Sequence, residues 1–173
     1  MQTLIGKQAP DFKLQGVSHE AFEFHALTDY RGKWVVLFFY PLDFTFICPT
    51  EITGFSKADE EFEKLNAKVL GVSTDSVHSH KAWLKELGAL KYPLLSDKTM
   101  AVSRDYGVLV EEEGVSLRGT FIIDPEGKVR YALVHDNGVG RSVKETLRAL
   151  QALQTGELCP LEWTPGEKTL GKA

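Results

Sequence analysis

The sequence predicts an α/β sandwich, a central mixed sheet flanked by helices and followed by an irregular C-terminal tail. Three observations point there. Trp34-Val35-Val36-Leu37-Phe38-Phe39-Tyr40 is apolar at every position, the pattern of a central strand covered on both faces. Strand-like and helix-like segments alternate after it, which implies a largely parallel sheet between helices. Later, Asp124-Pro125-Glu126-Gly127 joins two apolar runs with the Pro and Gly placement of a tight turn, which makes that pair a hairpin.

The elements follow in order. Pro41 ends the first strong strand, because proline cannot donate to a sheet ladder. Ile52, Phe55, Phe62 and Leu65 recur at helical spacing with Asp59, Glu60, Glu61 and Glu63 between them, the pattern of an amphipathic helix. Lys68 to Ser73 reads as a second strand, His80 to Leu87 as a helix and Tyr92 to Ser96 as a short strand. Thr99 to Tyr106 reads as another helix, ended by Gly107. Thr120 to Ile123 and Val129 to Val134 are the arms of the hairpin, expected as antiparallel strands at the edge of the sheet. Ser142-Val143-Lys144-Glu145 has capping-box spacing, and Val143, Leu147 and Leu150 supply the stripe of a final helix. A thioredoxin-like sandwich satisfies this order. A flavodoxin-like sheet needs a further crossover helix between the last two strands, and the Asp124–Gly127 turn leaves no room for one.

The chain has 173 residues, 43% of them hydrophobic, which suits one domain with one core. That domain is expected over residues 1–155, with 156–173 as a tail carrying Cys159 and broken by Gly156, Pro160, Pro165, Gly166 and Gly171. The formal net charge is -4 with no basic cluster, so nucleic acid is not an expected partner. No apolar run approaches the roughly 20 residues of a membrane span. Met1 to Lys7 lacks a basic flank followed by a long apolar stretch, and the cytoplasm is the expected compartment. Among five histidines, His78 and His80 are the close pair, expected as surface residues at a helix start, and no metal is expected.

There are two cysteines, Cys48 and Cys159. A stapling disulfide is not expected in a reducing compartment, and the count alone leaves open inert buried thiols or a pair that cycles. Context favours chemistry at Cys48. The stretch Pro41-Leu42-Asp43-Phe44-Thr45-Phe46-Ile47-Cys48-Pro49-Thr50-Glu51 runs from the carboxyl end of a central strand to the start of a helix, where α/β sheets place ligands. A cysteine in a first helical turn meets unpaired N–H groups and the positive end of the dipole, and both favour thiolate. Thiolate is the form that attacks a peroxide O–O bond. Thr45, three residues earlier, is expected on the same helical face, where its hydroxyl can hold peroxide. A nearby guanidinium is needed to stabilise the thiolate and the charge developing on the leaving oxygen.

The pattern Pro-x-x-x-Thr-x-x-Cys, here Pro41, Thr45 and Cys48, resembles the active-site signature of the peroxiredoxins. The run Phe-Thr-Phe-Ile-Cys-Pro-Thr-Glu resembles the typical two-cysteine subgroup, which includes the alkyl hydroperoxide reductase C component. Ala9-Pro10-Asp11-Phe12, Ser73-Thr74-Asp75, His80-Lys81-Ala82-Trp83, Arg118-Gly119-Thr120-Phe121, Gly140-Arg141-Ser142 and Cys159-Pro160 extend the likeness over nearly the whole chain. The resemblance implies a hydroperoxide reductase without metal or organic cofactor. It implies that Cys48 becomes a sulfenic acid, that Thr45 binds peroxide and that Pro41 shields the oxidised sulfur. Arg118 is the implied guanidinium, with Glu51 and Arg141 in support. Cys159 of the partner subunit is the implied resolving thiol, forming an intersubunit disulfide. Thioredoxin or a flavoprotein disulfide reductase is the implied electron donor, and a homodimer or ring of dimers the implied assembly.

The chain departs from the oxidation-sensitive members in two places. Val110-Glu111-Glu112-Glu113-Gly114 stands where they carry Gly-Gly-Leu-Gly, and the tail after Trp163 has neither Tyr nor Phe. The robust type is therefore expected. Two other functions keep the fold but explain less. A disulfide oxidoreductase needs Cys-x-x-Cys, and position 51 is Glu. A holdase or scaffold would tolerate loss of Cys48.

Overall fold

The computed structural model of the chain describes residues 3–19 and 21–172. Its first strands are β1 (Lys13–Ser18), β2 (Ala21–Ala26) and β3 (Trp34–Phe39), followed by helices α1 (Cys48–Lys57) and α2 (Asp59–Lys64). Then come β4 (Ala67–Ser73), α3 (Val77–Leu87), β5 (Leu94–Ser96), α4 (Ala101–Asp105), β6 (Leu109–Val110) and β7 (Val115–Ser116). The chain closes with β8 (Arg118–Ile123), β9 (Val129–His135) and α5 (Val143–Thr155).

Seven strands form one mixed sheet in the order β2-β1-β5-β4-β3-β8-β9. The apolar run at Trp34–Phe39 lies near its middle, parallel to β4 and antiparallel to β8. Side chains alternate across a strand, so β3 serves two cores. Phe38 stacks on Phe55 of α1 with centroids 4.7 Å apart, and Tyr40 leans on Trp83 of α3. On the other face Leu37 and Phe39 join Val102, Tyr106, Val108 and Phe121 in a buried cluster. Gly71 of β4 is required by this packing, because a Cβ there would come within 2.9 Å of the Phe38 ring and 3.0 Å of Leu94. The fold is thioredoxin-like, a mixed sheet with helices on its faces.

The tight turn forms as its sequence demands. Gly127 takes φ +83°, its N–H donates to the Asp124 carbonyl at 2.8 Å, and Asp124 Oδ1 accepts from the N–H groups of Glu126 and Lys128. Only β9 of this hairpin is at an edge, however; β8 pairs with both β3 and β9 and is internal. The opposite edge is β2, paired antiparallel with β1, which itself pairs with β5; the apolar pattern does not announce β2 because most of it is exposed. The single helix expected through Leu65 is two. Ala58 has ψ near zero between them, yet Ala58 N–H donates to Gly54 and Phe62 N–H to Ala58, so the apolar stripe survives the junction.

Two compact units divide the chain, Met1–Arg141 and Ser142–Ala173. The sheet and α1–α4 belong to the first. In the second, Ser142 caps α5 by accepting the Glu145 N–H at 3.1 Å. Glu145 does not complete a capping box; both its oxygens instead accept from Arg148, at 2.6 and 2.7 Å. The segment after Gly156 closes on itself through reciprocal backbone bonds, Leu158 N–H to the Gly171 carbonyl and Leu170 N–H to Leu158, each 2.8 Å. Among the described residues no helix is long and apolar enough to cross a membrane.

Candidate active site

Strand β3 delivers the chain to Tyr40, and Pro41 turns it out of the sheet. A loop then leads to Cys48, which is the first residue of α1, with Pro49 following. Proline suits this position because an N–H there has no intrahelical partner. The first turn offers the sulfur few free donors: Pro49 has no N–H, and the N–H groups of Thr50 and Glu51 donate to the Ile47 carbonyl at 3.0 and 3.3 Å. Cys48 is fully buried.

Its sulfur faces a guanidinium. Arg118, at the start of β8, places Nη1 3.3 Å from Cys48 Sγ and 2.6 Å from Glu51 Oε2. Arg118 is fixed from behind by Nε donating to the Asn137 carbonyl at 3.0 Å. Glu51, one turn along α1 from Cys48, accepts from two arginines. Arg141 donates to it from its backbone N–H at 2.8 Å, from Nε at 3.2 Å and from Nη2 at 3.0 Å. Arg141 also donates from Nη1 to the Gly119 carbonyl at 2.7 Å and lies 4.9 Å over the Phe38 ring. All three charged side chains are almost wholly removed from water. Burial pushes the Arg141 guanidinium down from its ordinary value, and the Glu51 carboxylate opposes that shift. Four of the residues singled out in the sequence, Cys48, Glu51, Arg118 and Arg141, thus form one hydrogen-bonded cluster.

Thr45 is placed differently from expectation. It lies in the loop rather than on the helix, because α1 begins only at Cys48, and its hydroxyl donates to the Leu42 carbonyl at 2.9 Å. Pro41 is buried at the foot of that loop. Cys159 belongs to the second unit, half-buried, with Sγ 3.6 Å from Thr155 Oγ1.

A second polar cluster was not anticipated. His80 is not a surface residue: it is fully buried, with Nδ1 2.8 Å from Asp43 Oδ2 and Nε2 3.2 Å from the Leu95 carbonyl. Asp43 also accepts from Tyr40 Oη at 2.8 Å and Ser79 Oγ at 2.7 Å. The signal was present. Helix α3 starts at Val77 rather than His80, and Val77, His80 and Trp83 then share one buried stripe. Among the described residues, no group of three or more His, Cys, Asp or Glu side chains is disposed to hold a metal.

Comparison with known proteins finds relatives over nearly the whole chain. The AhpC/TSA family profile matches residues 5–132. A Clostridium pasteurianum protein of a rubredoxin operon is 56% identical over 98% of this chain and 100% of its own. The chloroplastic 2-Cys peroxiredoxin BAS1 of Hordeum vulgare is 53% identical over 96% of this chain and 85% of its own. The crystal structure of reduced Plasmodium vivax 2-Cys peroxiredoxin superposes with TM-score 0.94 at 42% identity, covering 97% of this chain and 93% of that one.

Proposed function

The chain belongs to the AhpC/TSA family and is a peroxiredoxin, and on that footing we propose that Cys48 is the peroxide-reducing thiolate and Cys159 of the partner subunit its resolving thiol. The observation that carries the first half is the buried Cys48 sulfur at the start of α1 with Arg118 Nη1 3.3 Å away.

The thiolate attacks one peroxide oxygen, the O–O bond breaks, and the other oxygen leaves as an alcohol or water after taking a proton. Cys48 becomes a sulfenic acid. Arg118 stabilises the thiolate and the oxygen that gains charge, in a site dry enough to strengthen both interactions. Glu51 aims Arg118, and Arg141 aims Glu51. Thr45 has committed its hydrogen to Leu42, so its lone pairs are available to a peroxide O–H. Pro41 presents no N–H and shields the oxidised sulfur. No metal or organic cofactor takes part.

In the second step the Cys159 thiolate attacks the sulfenic sulfur, the S–S bond forms as the S–O bond breaks, and the hydroxyl takes a proton from solvent and leaves as water. Thioredoxin or a flavoprotein disulfide reductase then returns both thiols. The assembly is a homodimer, built further into a ring of dimers. Apolar side chains in water around the loop support association: Phe46 is 95% exposed, with Leu42 and Phe44 beside it in sequence. Peroxide removal in the cytoplasm, for antioxidant defence, is the role that follows. Residues 1–155 carry the peroxidase chemistry and 156–173 the resolving tail.

Equimolar hydrogen peroxide, added to reduced protein before a denaturing non-reducing gel, is expected to give a covalent dimer. Cys48→Ser and Cys159→Ser should both remain monomeric. An internal disulfide in a monomer would keep the chemistry and overturn the subunit arrangement.

A further inference from the structure

Arg118 is the first residue of β8, and its ladder partner His135 is the last of β9, so its side chain leaves the sheet where the pairing ends. Nη1 is shared between Cys48 Sγ at 3.3 Å and Glu51 Oε2 at 2.6 Å, and the shorter bond draws the guanidinium toward the carboxylate. Two contacts made by one nitrogen leave the fork free to swivel about it. The bond from Nε to the Asn137 carbonyl, 3.0 Å, is made by a second nitrogen and fixes the plane.

That carbonyl is in place because the chain turns sharply after β9. Asp136 Oδ1 accepts the Gly138 N–H at 2.8 Å, and the Asp136 carbonyl accepts the Val139 N–H at 3.3 Å. A carboxylate bonded to the backbone two residues on sets a turn. Gly138 leaves room for it, since a Cβ there would lie 3.2 Å from Asp136 Oδ1. The Asn137 side chain does not supply the tie: its Oδ1 is buried with no hydrogen-bond partner among the described residues. Beyond the turn Gly140 passes Ile47, where a Cβ would meet Ile47 Cγ2 at 3.4 Å, and the Arg141 N–H donates to Glu51 Oε1 at 2.8 Å. The segment 136–141 thus meets the buried pair with backbone dipoles of matching sense, a carbonyl on the cation and an N–H on the anion.

We propose that Asp136 is a positioning residue for peroxide reduction: its carboxylate folds the 136–139 turn that offers the Asn137 carbonyl to Arg118, and so holds the guanidinium against the Cys48 sulfur. This rests on the reading of Cys48 and Arg118 given above. Asp136 is itself exposed and acts only through Arg118.

Asp136→Ala removes the acceptor that sets the turn, whereas Asp136→Asn keeps an acceptor oxygen and removes the charge. In stopped-flow measurements on reduced protein, Asp136→Ala is expected to slow oxidation of Cys48 by hydrogen peroxide about three- to tenfold, the scale of one net hydrogen bond. Asp136→Asn should recover most of the wild-type rate. Added to Arg118→Ala, Asp136→Ala should slow the reaction no further, because the group through which the turn acts is gone. A merely structural role would add its effect in both backgrounds. In protein labelled with 15N-arginine, exchange of the Arg118 Nε–H with water should quicken in Asp136→Ala and not in Asp136→Asn, a readout that involves no peroxide.

Effects that multiply in the double variant, or a rate that Asp136→Ala leaves unchanged, overturn the proposal. Equal losses in Asp136→Ala and Asp136→Asn would assign the effect to charge and overturn the turn as its cause. If peroxide does not oxidise Cys48 in the wild type, the peroxidase reading fails. The Nε–H exchange then still decides whether Asp136 holds Arg118.

Discussion

Arg118→Ala is expected to slow oxidation of Cys48 by hydrogen peroxide by roughly two to three orders of magnitude, the cost of removing one preorganised donor from a buried site. Arg118 contacts both sides of the problem, with Nη1 3.3 Å from the sulfur and 2.6 Å from Glu51. In the mechanism proposed above, its absence leaves the thiolate without that cation and the departing oxygen without its stabiliser. The fold should survive, because Glu51 keeps Arg141 as a partner. Arg118→Lys is expected to recover only part of the rate, since an ammonium is a point charge and cannot span sulfur, carboxylate and the Asn137 carbonyl as the guanidinium fork does. Stopped-flow measurement of the oxidation phase, beside a thermal melt, checks both halves. An unchanged rate would remove Arg118 from the site.

Glu51→Ala has the other large expected effect, and it falls on stability as well as rate. Glu51 Oε2 is shared by Arg118 at 2.6 Å and Arg141 at 3.0 Å, with all three side chains buried. Deleting the carboxylate leaves two guanidiniums facing each other's charge out of water. Breaking a buried pair in this way costs about 3–5 kcal/mol. Glu51→Gln keeps one acceptor oxygen and should cost less, which separates loss of charge from loss of volume. Urea denaturation measures the difference. A cost below about 1 kcal/mol, the range of exposed pairs, would show that water already screens the cluster.

The parts of this molecule legible in its sequence are those where one segment carries the whole signal. Trp34–Tyr40 has apolar residues on both faces, and the Asp124–Gly127 turn has its chemistry in four consecutive residues. The β1–β2 hairpin was silent because an exposed edge strand needs no apolar face. The placement of β8 inside the sheet is a property of pairing across the chain, which local pattern does not encode. The site divides in the same way. Cys48 at a helix start could be read from its neighbours, whereas Glu51, Arg118 and Arg141 came together through a likeness to a family and not through spacing. The Asp43–His80 pair joins residues 37 apart in sequence, and a helix start placed three residues late hid the buried stripe that His80 shares with Val77 and Trp83. The helical face expected for Thr45 exists only from Cys48 onward.

Peroxide is expected to oxidise the Cys48 sulfur before any other group. Reduced protein treated with one equivalent of hydrogen peroxide in the presence of dimedone, followed by peptide mass spectrometry, tests it directly. The account predicts a dimedone adduct on the peptide containing Cys48, absent in Cys48→Ser and retained in Cys159→Ser. An adduct on Cys159 with Cys48 still a free thiol, or peroxide consumed without oxidation of either cysteine, would contradict it.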